Sequence, residues 1–184
     1  MSKALILMAP GFEELEAISV IDILRRAGVE VVVAGLAAGP LRASRDTVIL
    51  PDATIDELPD DAEGFDLVVL PGGQPGANTL RDDPRVVSMV QAQWAAGRQV
   101  AAICAAPKVL ARAGLLAGRR VTHYPGALDA AEAEGAEVTG AAVEVDGKLI
   151  TGRGPGTALD FALALVEALE GGAVRDKVEQ ALAR

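Results

Sequence analysis

Apolar residues in this chain gather into short unbroken runs of strand length, separated by stretches where they recur at helical spacing. The first run, Ala4-Leu5-Ile6-Leu7-Met8-Ala9, is closed by Pro10 and Gly11, as for a strand buried on both faces and followed by a sharp turn. A helix is predicted next. Ala17, Ile21, Leu24 and Gly28 keep its spacing, Glu13, Glu14 and Glu16 sit in its first turns, Arg25 and Arg26 near its end, and Gly28 stops it. Val29 to Leu36 predicts a second strand and Asp66 to Leu70 a third, closed by Pro71-Gly72-Gly73. Residues 40–60 between them read as a loop with a short strand excursion.

Asp83-Pro84 opens a helix to about Ala96 that Gly97 ends; Gln99 to Ile103 is another buried strand, and Pro107 to Ala113 starts a helix. Short strands are predicted at Arg120–Thr122, Glu137–Thr139, Val143–Val145 and Leu149–Thr151. An apolar helix follows over Pro155–Leu169, and a last short one over Val174–Leu182. This alternation predicts an α/β fold, a mostly parallel sheet covered on both faces, within one domain of residues 1–184. Ligands bind such sheets outside the carboxyl ends of the strands, so the loops after Ala9, Leu70 and Ile103 should converge.

Composition narrows the function. Aromatic residues make up only 3% of the chain, which leaves no platform for stacking bases, and 17 Lys and Arg against 26 Asp and Glu give a formal charge of -9. Tight nucleic-acid binding is not expected. The apolar runs fall short of the roughly 20 residues of a membrane-spanning helix, and the first lacks the length and cleavage site of a signal peptide. A soluble, cytoplasmic protein is expected. The single cysteine, Cys104, excludes an intrachain disulfide and a thiolate metal cluster.

Cys104 lies in Ala101-Ala102-Ile103-Cys104-Ala105-Ala106-Pro107, where a buried strand turns into a helix. Two readings stand: a small core hydrophobe, or a nucleophile at an elbow whose thiolate faces the N–H groups of a helix start. Glu16, just beyond the first strand, is within reach of that elbow, whereas Glu13 and Glu14 read as exposed acids favouring a helix N-terminus. If Glu16 touches Cys104, two acids compete for one proton, and a thiolate beside a neutral carboxylic acid is the arrangement that helps catalysis. Gly72-Gly73 reads as a turn, or as two N–H groups that join Ala105 in an oxyanion hole. The lone His123, in Thr122-His123-Tyr124-Pro125, is either structural or a base. No Ser-His-Asp set and no metal-spaced His/Cys cluster occurs.

Taken together, Ala9 to Glu16, Leu70 to Gly73, Ala101 to Pro107 and Arg153-Gly154-Pro155-Gly156-Thr157 resemble the DJ-1/PfpI superfamily, and within it the parkinsonism-associated branch and its bacterial relatives. The resemblance implies a flavodoxin-like three-layer sandwich, a homodimer, and a site without cofactor or metal, built on Cys104 with Glu16 as its protonated partner. It puts the Gly73 and Ala105 amides on the sulfur, brings Arg45 near the site across the dimer contact, and assigns Asp22, Arg25 and Arg153 to dimer packing or site support. Many relatives carry a His directly before the proline near the site. Here Tyr124 holds that position and His123 stands one earlier. The extra cysteines of the animal proteins are absent, with Ala43 and Leu50 in the matching stretch.

The expected activity is that of a glutathione-independent glyoxalase III and protein deglycase acting on methylglyoxal, glyoxal and early glycation adducts of proteins. Cys104 attacks the aldehyde, Glu16 moves the proton, and Gly72, Gly73, Ala105, Arg45 and Tyr124 surround the substrate, with His123 a further catalytic candidate. The alternative is an oxidative-stress sensor and holdase chaperone acting through oxidation of Cys104. A cysteine peptidase or glutamine amidotransferase would need a positioned His base, which the displaced His123 argues against.

Overall fold

Each unbroken apolar run folds as a strand, and the helical spacings between them fold as helices. In the computed structural model, which covers all 184 residues, the elements are β1 (Lys3–Met8), α1 (Glu14–Arg26), β2 (Glu30–Gly35), β3 (Leu41–Arg42), β4 (Val48–Ile49), β5 (Ala53–Thr54) and β6 (Leu67–Leu70). Then follow α2 (Gly76–Asp82), α3 (Pro84–Ala95), β7 (Gln99–Ile103), α4 (Pro107–Arg112), β8 (Arg120–Val121), β9 (Glu137–Val138), β10 (Val143–Asp146), β11 (Leu149–Gly152), α5 (Ala158–Glu170) and α6 (Gly172–Ala181).

The main sheet runs β10-β11-β7-β6-β1-β2-β5, parallel throughout except for β10 against β11. Leu5 pairs with Val32 on one side and Val68 on the other, so β1 sits between two parallel neighbours. From β1 the chain moves outward to β2 and β5, then returns to β6 on the opposite side. Strand order therefore reverses between β1 and β6, the switch point where a crevice opens beyond the strand ends.

Side-chain alternation divides the core between two layers. Ala4, Ile6 and Met8 of β1 face the α1/α5 side with Val20, Leu24, Phe161 and Leu165, while Leu5 and Leu7 face α2, α3 and α4 with Leu80, Met89 and Leu110. Each buried Leu or Ile contributes about 1.5–3 kcal/mol to folding. The result is the flavodoxin-like sandwich expected from the sequence.

Three local readings are revised. Residues 76–82, given no element from the sequence, form α2, which buries Ala77 and Leu80. Pro155–Thr157 make a 3₁₀ turn, so α5 starts at Ala158, not at Pro155. The last helix begins at Gly172, two residues before Val174.

Candidate active site

Glu13 caps α1, its carboxylate accepting the Glu16 N–H at 2.9 Å. That puts Glu16 in the first helical turn, with its side chain fully buried. Across the switch point, the Gly72 N–H donates to Glu16 Oε2 at 2.8 Å, and Oε1 is left without a partner. Of the glycine pair, then, Gly72 spends its N–H on the carboxyl and does not offer it to an oxyanion.

Cys104 follows β7 with φ +64°, a left-handed conformation that costs a non-glycine residue roughly 1–2 kcal/mol. Flanking bonds hold it there: its N–H donates to Gly152 O and its C=O accepts from the Tyr124 N–H, both at 2.9 Å. The corner aims the sulfur at the backbone N–H groups of Gly73 and Ala105 and sets it beside the Glu16 carboxyl. Glycine is required at both neighbouring positions. A Cβ on Gly72 would lie 2.6 Å from Cys104 Cβ and 2.7 Å from Glu16 Oε2, and one on Gly73 (φ +93°) 2.5 Å from Glu13 N.

Burial raises both acids, and Glu16 raises the thiol further, whereas the contact with Cys104 and the Gly72 N–H lower the carboxyl. Burial raises the Glu16 carboxyl from 4.5 to about 7, with the nearby charge of Glu13 adding to it. Burial also pushes the Cys104 thiol up to about 12, and the Glu16 charge adds to that, while the Gly73 and Ala105 amides pull it back. Once Glu16 holds the shared proton, its charge no longer opposes the thiolate and the two amides favour it.

A cleft of about 430 Å³ opens over the sulfur. Besides Cys104, Ala105 and Gly73 it is lined by Glu13, Gln74, Ser44, Arg45, Pro155 and the turn Tyr124–Ala127. Arg45 reaches it from the same chain, so its presence there needs no second copy. Glu14 secures this loop, accepting from Ser44 Oγ at 3.0 Å and from the Arg45 N–H. The Tyr124 ring lies against Gly154, where a Cβ would meet it at 3.1 Å. His123 is not among the lining residues: its Nδ1 meets Tyr124 O at 2.8 Å.

Arg25 reaches Val31 O and Asp52, Asp22 pairs with Arg26, and Arg153 is exposed, all outside the cleft lining. No three His, Cys, Asp or Glu side chains converge as a metal site, and no helix is long and apolar enough to cross a membrane.

Glu13, Gln74 and Ser44 were not singled out from the sequence. Glu13 carried the only available signal, an acid at a helix start, which equally describes a solvated cap.

A model of the DJ-1/PfpI family matches residues 2–168. Protein dj-1beta of Drosophila melanogaster is 44% identical over 182 residues, 98% of this chain and 95% of that protein. The glutathione-independent glyoxalase DJR-1.2 of Caenorhabditis elegans is 36% identical over 170 residues, 92% of this chain and 89% of its own. The crystal structure of Drosophila melanogaster DJ-1beta superposes with a TM-score of 0.92 at 41% identity, covering 100% of this chain and 98% of that one.

Proposed function

This chain belongs to the DJ-1/PfpI family, and on that premise we propose that it is a glutathione-independent glyoxalase that converts methylglyoxal or glyoxal to the hydroxy acid. The observation that carries the reading is the buried pair itself: one thiol, one carboxyl raised to about 7, and two backbone amides on the sulfur, within a cleft large enough for a small dicarbonyl. The glyoxalase name of the nematode relative supports it.

The reaction balances on these groups. The Cys104 thiolate adds to the aldehyde carbon, and the new oxyanion takes the proton of Glu16, giving a hemithioacetal and leaving Glu16 a carboxylate. Glu16 then removes the proton from that carbon and returns it to the adjacent carbonyl carbon through an enediol, while the hydroxyl proton passes from the first oxygen to the second, giving a 2-hydroxy thioester. Water cleaves the thioester, releasing lactate or glycolate and the thiol. The Gly73 and Ala105 amides stabilise negative charge as it moves between sulfur and oxygen, and Arg45 and Tyr124 border the substrate. His123 has no step in this scheme. No cofactor or metal is required. Early glycation adducts of proteins, hemithioacetals of cysteine and carbinolamines of lysine and arginine that release the aldehyde reversibly, are further substrates in this reading, and the cytoplasm is its place of action.

A homodimer belongs to the same reading. Leu15 and Ile18 of α1, Val48 of the 41–49 hairpin, which Glu14 ties to α1, and Leu50 just after it expose apolar side chains that a second copy would cover. Incubation with methylglyoxal in the absence of glutathione tests the activity: lactate is expected from wild type and none from Cys104→Ser.

A second reading shares the residues. A thiolate between two amides and a neutral carboxyl is also readily oxidised, and those donors would hold sulfinate oxygens, as in an oxidative-stress sensor or redox-regulated chaperone. Mild peroxide should then add oxygen mass at Cys104.

A further inference from the structure

A second cleft, of about 520 Å³, shares no lining residue with the one at Cys104. Lys108, Ala111 and Arg112 of α4 form one wall, at the i, i+3, i+4 spacing that shares a helix face. Arg81, Asp82, Ala131 and Glu132 form the other.

Its charges do not balance internally. Lys108 is only 7% exposed, yet its ammonium makes no ion pair; its one hydrogen-bond partner is the neutral Oδ1 of Asn78, at 2.8 Å. Arg112, one helical turn on, is exposed and also unpaired. Arg81 is committed to Asp82 through two bonds of 2.7 and 2.9 Å and approaches Glu132 only at 3.9 Å. Glu132 in turn accepts the Asp129 N–H. Setting the Arg81–Asp82 pair aside leaves two cations and one loosely held carboxylate, in a chain whose formal charge is -9. Asp82 attracts Lys108 and Arg112 only at longer range, being bonded to Arg81, so a buried ammonium with no close ion-pair partner remains costly, and an anion in the cleft would reduce that cost.

We propose that this cleft binds a phosphate group. A tetrahedral oxyanion can accept from the Lys108 ammonium and the Arg112 guanidinium at once, and the volume leaves room for a small organic body on a phosphate ester. The site is independent of the chemistry at Cys104 and stands or falls separately from it.

Amide NMR of the purified protein, titrated with inorganic phosphate and separately with glycerol phosphate at fixed ionic strength, tests it. Saturable shifts confined to α2, α4 and residues 129–135 are expected. Arg112→Gln should weaken them about tenfold or more, the loss of one charge-assisted hydrogen bond, and Lys108→Met should abolish them. Equal affinity for both probes would identify free phosphate as the ligand, and tighter binding of glycerol phosphate a phosphate ester. If Lys108→Met does not fold, the exposed Arg112→Gln decides alone. Shifts that do not saturate, that chloride reproduces, or that survive Arg112→Gln unchanged would overturn the proposal.

Discussion

The backbone N–H of Gly72 holds Glu16 Oε2 at 2.8 Å across the point where strand order reverses. One bond thus joins the loop after β6 to the helix after β1, and the carboxyl it orients stands beside the thiol that follows β7. The site is assembled from three strand ends, none of which carries it alone.

Gly72 has no room for a side chain. In Gly72→Ala the new methyl would meet Cys104 Cβ at 2.6 Å and Glu16 Oε2 at 2.7 Å, both in a closely packed interior. The expected result is loss of lactate formation together with a stability loss of about 1–3 kcal/mol, read from urea unfolding. Wild-type turnover in Gly72→Ala would contradict the geometry.

Stability should fall as pH rises, because of Glu16. Its carboxyl titrates at about 7 in the fold against 4.5 ordinarily, so the folded protein holds this proton more tightly than the unfolded chain. The contribution is complete below about 4.5 and is lost as pH climbs through about 7. Between pH 5 and pH 8 wild type should lose roughly 2–3 kcal/mol relative to Glu16→Gln, in which titrating groups not coupled to Glu16 cancel. Urea unfolding of both proteins at the two pH values measures this, and a constant difference would rule it out.

Much of this was legible in the sequence, for reasons that can be named. Strands such as β1 and β6 are buried on both faces and so appear as unbroken apolar runs, and a thiol at the end of one, before Pro107, marks an elbow. Helix α2 was not legible, because Gly76, Asn78 and Thr79 favour turns and its burial of Ala77 and Leu80 depends on packing against β1 and α4. The tether from Glu14 to Ser44 was hidden too, since its ends are thirty residues apart. The placement of Tyr124 over His123 rests on one backbone bond, Tyr124 N–H to Cys104 O, that no spacing rule predicts.

His123 and Tyr124 should therefore behave differently. His123, outside the cleft lining, should tolerate replacement: His123→Ala is expected to keep kcat/KM within about twofold of wild type. Tyr124 lines the cleft, so Tyr124→Ala is expected to raise KM about threefold or more with a smaller effect on kcat. Steady-state kinetics with methylglyoxal separate the two, and a large loss in His123→Ala would assign that residue a step.

Four exposed apolar side chains bear on the oligomeric state. Leu15 is 60% exposed, Ile18 43%, Val48 50% and Leu50 76%. Sedimentation equilibrium should return twice the chain mass for wild type and the single mass for Ile18→Glu/Leu50→Glu. A monomeric wild type would remove the dimer from the account.

Cys104 is expected to capture the aldehyde and Glu16 to move the proton. Intact-mass spectrometry of Glu16→Gln mixed with methylglyoxal, with lactate assayed in the same samples, separates the two roles. A mass gain of one methylglyoxal at Cys104 and no lactate is expected. Lactate at the wild-type rate in that variant, or no adduct at Cys104, would contradict it.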